Sequence, residues 1–234
     1  MMNANPKEPG DGHTSPAIWL YPKKEIDVEV ALQFNGAGFM TSSTPSYNEK
    51  WRIHVDPKMP FNRCSSTYVN DPWVPYLDYD GFRDGEFQRV VGWCIHQKDL
   101  IDWQRSHLKE IGFTEAEIDD VNYSYGRMLL ERKYKEEFFA IYPQEAAIVD
   151  TSVALTVVPR PDSIYRLWLY FVPMAVKAVD LKVPHVKKVE REGFSVVELA
   201  YLTDREIPSG GRPPPVPSGQ KCLLGHRAGV ERGK

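Results

Sequence analysis

The run Ile164-Tyr165-Arg166-Leu167-Trp168-Leu169-Tyr170-Phe171-Val172 constrains this chain more than any other stretch. It is too short to cross a bilayer, which takes about 20 apolar residues in a helix. Its aromatic and branched residues leave no polar stripe, so it reads as a strand covered on both faces. Arg166 sits inside it. An unpaired buried charge is strongly destabilising, so this cation needs a carboxylate, a water-filled pocket or a ligand.

The remainder favours strands and turns. Prolines number 19 in 234 residues and punctuate the chain throughout, which works against long helices. The length suits one large domain or two small ones. A net charge of −3 provides no basic excess for phosphate, so nucleic acid is not an expected partner. Cys64, Cys94 and Cys222 lie far apart with no C-x-x-C spacing, which supports neither a zinc site nor a redox pair. Residues 1–16 are polar where a signal peptide needs an apolar core, and no stretch is long and apolar enough to span a membrane. The expectation is a soluble cytoplasmic protein with no membrane partner, no metal and no cofactor. Oligomeric state is not legible.

Residues 1–15 and 207–234 read as disordered, the latter rich in Pro, Gly and basic residues, with Pro213-Pro214-Pro215-Val216-Pro217 favouring polyproline II. Between them, 16–206 reads as one α+β domain: a mainly antiparallel, β-sandwich-like core with a helical hairpin inserted at about 97–131. Strands are expected at 17–21, 27–34, 51–56, 89–95, 138–142 (ended by Pro143), 152–158, around Arg166, and at 193–199. In the second of these, Val28, Val30, Leu32 and Phe34 alternate with polar partners. Residues 57–89 read as loop-rich, with prolines at 57, 60, 72 and 75. Arg160-Pro161-Asp162-Ser163 predicts a turn joining the 152–158 strand to the Arg166 strand as a β-hairpin. The helical hairpin is read from Leu100, Ile101, Leu108 and Ile111, a stop at Gly112, and the capping box Thr114-Glu115-Ala116-Glu117. Ile118, Val121, Tyr125, Met128 and Leu129 continue its apolar stripe.

Glu198 is the natural partner for Arg166, because it too stands among apolar neighbours on its strand, and a bidentate bond would satisfy both groups. The acidic segment Asp78-Tyr79-Asp80-Gly81-Phe82-Arg83-Asp84-Gly85-Glu86 fails the EF-hand pattern, with Arg83 where the glycine belongs. Within it, Asp80 is anchored by Tyr76, Leu77 and Tyr79, and could pair with Glu198 as acid and base of a glycosidase-like hydrolase. Trp73 and Tyr76, in a proline-rich loop, with Tyr79, are candidates for stacking on a ligand. The histidines show no metal-binding spacing, and no nucleophile elbow, P-loop or dinucleotide fingerprint is present.

Four segments carry a resemblance: Ile18-Trp19-Leu20-Tyr21-Pro22, Tyr76-Leu77-Asp78-Tyr79-Asp80-Gly81, Pro159-Arg160-Pro161-Asp162-Ser163 and Arg191-Glu192-Gly193-Phe194-Ser195-Val196-Val197-Glu198. In order, they resemble an uncharacterised, mainly microbial family with I-Y-L-Y-P, Y-L-F-W-E-G, P-x-P-D-S and R-x-G-F-x-V-V-E segments. The likeness covers about residues 17–200 and departs at Tyr79 and Asp80, where the family pattern has Trp and Glu. It implies a common fold without a mechanism, and draws attention to Asp80, Asp162, Arg166, Arg191 and Glu198. Three readings follow. The first is a binding module for a small anionic or sugar-like ligand, or a protein segment, near Arg166. The second is a hydrolase using Asp80 and Glu198, and the third a structural or interaction protein with no pocket.

Overall fold

A strand that is apolar on both faces needs cover on both, and β11 (Ser163–Met174) obtains it near the middle of an eight-stranded sheet. The computed structural model describes residues 12–58, 64–66, 74–122, 135–178 and 181–203. Trp73, Tyr125, Met128, Leu129 and the proline-rich tail lie outside the described residues. The large sheet runs β1 (Gly12–Thr14), β7 (Leu77–Arg83), β2 (Ala17–Tyr21), β12 (Ser195–Thr203), β11, β9 (Phe138–Glu145), β8 (Trp93–His96), with β4 (Phe39–Thr44) also on β7. A four-stranded sheet runs β10 (Val153–Val158), β3 (Ile26–Phe34), β5 (Trp51–Val55), β6 (Cys64–Ser66). Neighbours are antiparallel except β11 and β12, which are parallel.

Alternation sorts the core into layers. Leu167, Leu169 and Phe171 of β11 and Val197, Leu199 and Tyr201 of β12 face one way, against α1 (Leu100–Ile111) and α2 (Glu115–Val121). Trp168, Tyr170, Ala200 and Leu202 face the other way, with α3 (Ala146–Ser152) against them. Beside these, Ile18, Leu20 and Val196 meet Val28, Val30, Trp51 and Ile53 of the small sheet. The order is helical hairpin, large sheet, small sheet. The architecture is the α+β, sandwich-like one expected from the sequence.

The helical hairpin is built by its local signals. Gly112 closes α1 at φ 107°, a left-handed conformation that glycine adopts without penalty. Thr114 and Glu117 make both bonds of the capping box.

Other expectations are corrected. No β-hairpin joins β10 to β11: β10 pairs with β3 in the small sheet, while β11 lies between β12 and β9. β10 alternates towards solvent and suits an edge, whereas Arg166 to Phe171 are all buried and need the centre. Asp162 instead ties the intervening turn to β12, its Oδ2 accepting from Phe194 N at 2.6 Å. Pro143 does not end β9. Beyond Ile141 the strand has no β8 partner, a setting in which a missing N–H is tolerated, and Gln88 donates to the Pro143 carbonyl at 2.7 Å. The loop-rich 57–89 segment contains β7, whose carboxylates disguised a strand of buried Leu77, Tyr79, Gly81 and Arg83. The 89–95 strand is confined to β8. Gly12–Thr14, assigned to a disordered terminus, is β1, held by backbone pairing to β7 and β12.

Candidate functional site

Parallel register sets Arg166 directly opposite Glu198. Opposed residues share a face, so the two side chains meet: Arg166 Nε donates to Glu198 Oε2 at 2.5 Å, with Arg166 3% and Glu198 0% exposed. Trp168, two residues along the same face, donates its Nε1 to Glu198 Oε1 at 2.9 Å. Tyr79, reaching over from β7, donates its hydroxyl to the same oxygen at 3.1 Å. Both carboxylate oxygens are therefore occupied. Arg166 Nη1 donates to Val153 O at 2.7 Å and to Asp150 Oδ1 at 2.5 Å, tying β11 to α3 and β10. Burial opposes the Arg166 charge, but Glu198, Tyr79 and Asp150 outweigh it and hold the guanidinium above its ordinary pKa. Burial pushes the Tyr79 phenol up, and Glu198 pushes it further.

Sequence reasoning missed Asp150 and, deeper in the site, Arg83. Alternation along β7 puts it on the face of Tyr79, where it is 2% exposed. Its guanidinium lies over Phe34 at 4.6 Å, Tyr79 at 4.8 Å and Trp168 at 5.5 Å from the ring centroids. Nη1 donates to Phe82 O at 3.1 Å, while among the described residues Nε and Nη2 are buried with no hydrogen-bond partner, as is Nη2 of Arg166. Burial pulls the Arg83 pKa below the usual arginine value, an effect opposed by Tyr79 and Glu198 and reinforced by Arg166. Gly81 makes room for this guanidinium: a Cβ there would lie 2.6 Å from Arg83 Nη1. The available signal was the Leu77, Tyr79, Gly81, Arg83 alternation, hidden between aspartates.

Asp80 points the other way. Ala17 pairs with Asp78 and Ile18 with Leu77, which puts the even-numbered residues of β7 on the helix-facing side of the sheet. Glu198 lies opposite Ile18, on the small-sheet side. The sheet thus separates Asp80 from Glu198 and does not bring them together as an acid–base pair. Asp80 accepts from Ser42 Oγ at 2.5 Å and from Ser15 Oγ. Tyr76 is also away from Arg166, its ring 5.5 Å from Trp19 against the helical hairpin. Of the expected ligand residues that are described, the structure brings Arg166 and Tyr79 to Glu198 and leaves Tyr76 apart.

A second polar cluster lies on the helix side. Glu117 accepts from Tyr21 Oη at 2.5 Å and from Arg191 Nη2 and Thr114 N at 2.7 Å each. Asp120 accepts from Trp19 Nε1 at 3.4 Å, and burial pushes its carboxyl up to about 6. Among the described residues, no group of three or more His, Cys, Asp or Glu is placed to hold a metal, and no helix is long and apolar enough to cross a membrane.

Fold and site together define an α+β sandwich with a cationic, aromatic-lined interior. Comparison with protein families, curated proteins and solved structures found no match.

Proposed function

We propose that this protein is a binding module for a small anion, held between the two sheets by Arg83 and Arg166. One observation carries the reading: among the described residues, Arg83 Nε and Nη2 and Arg166 Nη2 are buried with no hydrogen-bond partner, and the polar side chains near Arg83 that favour its charge are those of Tyr79 and Glu198. Leaving a buried donor unsatisfied costs about 1–3 kcal/mol, more for a charged group. An oxyanion matches both the charge and the planar donor fork of a guanidinium. Glu198, its oxygens already taken by three donors, serves as the scaffold that aims Arg166.

The test is a thermal-shift series at constant ionic strength, replacing chloride with acetate or phosphate, on wild type and Arg83→Met. A ligand at ten times its dissociation constant stabilises by about 1.4 kcal/mol. That corresponds to a rise of about 3–6 °C in melting temperature for a domain of this size. The rise is expected in wild type and absent in Arg83→Met. An equal rise in both, or none in wild type, refutes the proposal.

A further inference from the structure

We infer that the ligand is a carboxylate, and that Asp150 is the internal carboxylate it displaces from Arg166. This rests on the anion-binding reading above. Arg166 has three acceptors among the described residues, and they differ in how readily they can be exchanged. Glu198 is wholly buried and bonded to two other strands, and the Val153 carbonyl is fixed backbone. Asp150 alone is open to solvent, with 56% of its side chain exposed against 2% for Arg166. Its bond at 2.5 Å to Nη1 already shows a carboxylate seated on this guanidinium.

Charge favours a singly charged anion, and a monocarboxylate is one. Arg83 and Arg166 face one buried carboxylate, Glu198, which leaves one positive charge for Asp150 to balance from the rim. A monocarboxylate replaces Asp150 with the balance unchanged, whereas a phosphate dianion overshoots it. The backbone around Asp150 is held independently of its side chain. Asn35 Nδ2 donates to Thr151 O at 3.0 Å, Asn35 N to Ser152 O at 2.9 Å, and Ser152 Oγ to Asp84 O at 2.9 Å. A rotamer change at Asp150 therefore frees Arg166 Nη1 without unwinding α3, and exposed side chains change rotamer in nanoseconds or less.

The experiment titrates potassium acetate and, separately, potassium phosphate into wild type, Asp150→Asn and Asp150→Ser at constant ionic strength. Each protein's melting temperature is read against its own chloride baseline. An internal competitor lowers apparent affinity by the fraction of time it leaves the site open. An ion pair with one exposed member closes the site most of the time, so removing Asp150 tightens the apparent dissociation constant for acetate about fivefold. In wild type, the ¹³C resonance of the Asp150 carboxylate moves as acetate is added, which tests displacement without a mutation. Equal acetate affinity in wild type and both variants, with an unmoved Asp150 resonance, overturns displacement and leaves the anion site standing. Tighter binding of phosphate than acetate overturns the carboxylate class. No response to either anion in any protein overturns the anion site itself.

Discussion

Replacing Glu198 with glutamine probes the centre of the molecule. Glutamine preserves the shape and one carbonyl oxygen, which can still accept from Tyr79 and Trp168. It places an NH2 group against Arg166 Nε, where the carboxylate oxygen sat at 2.5 Å. Two guanidinium groups then share the interior with, among the described residues, no buried carboxylate on that face. Breaking a buried pair by removing one partner costs about 3–5 kcal/mol, far more than an exposed bridge, because an uncompensated charge stays behind. For a domain of this size, that lowers the melting temperature by about 6–20 °C. Urea denaturation gives the free energy directly, from the shift in midpoint at unchanged slope. The decisive measurement is the second mutation. Arg166→Met alone also strands a buried charge, that of Glu198, and destabilises; in the Glu198→Gln background it removes the stranded cation and recovers stability. The reasoning is refuted if Glu198→Gln loses less than about 1 kcal/mol. It is refuted equally if Arg166→Met costs as much in the variant as in the wild type, since contacting residues must couple.

Two further outcomes are expected elsewhere. Gly81→Ala drives a Cβ into Phe39 O and to 2.6 Å from Arg83 Nη1, so the β4–β7 pairing must shift. A loss of about 1–3 kcal/mol is expected from such overpacking, and wild-type melting would exclude this close approach. Asp120, with its carboxyl raised from 3.8 to about 6, gives the folded state the tighter hold on a proton. Its contribution to stability is present at low pH and falls as pH rises through this window, with a limiting slope of about 1.4 kcal/mol per pH unit. Asp120→Asn should flatten that part of the stability–pH curve while leaving Glu117, Tyr21 and Arg191 in place. An unchanged curve would show that Asp120 is not buried as described.

Much of the fold was legible because it is written locally. The helical hairpin follows from Gly112 and from the Thr114–Glu117 spacing, signals that act within a few residues. β3 and β5 follow from a period of two. β7 was obscured because Asp78 and Asp80 look like loop residues until a sheet gives them a polar side. The site was half legible: Arg166 and Glu198 announced themselves as charges in apolar strands. Arg83 did not, since its burial depends on Phe34 and Trp168, which come from two other strands.

The sequence by itself determined that the 164–172 segment is a doubly covered strand and that its cation needs an anion. Which anion was decided by the tertiary structure. Several strands in this chain carry similar alternating or apolar patterns, and the cost of closing a loop rises only slowly with its length, so local pattern does not choose the neighbour. The parallel pairing of β11 with β12 set Arg166 opposite Glu198. Sending β10 to the other sheet brought Val153 and Asp150 to the same guanidinium. The pairing of β2 with β12 and β7 put Tyr79 on the face of Glu198, and because side chains alternate across a sheet it left Asp80, one residue on, on the far side.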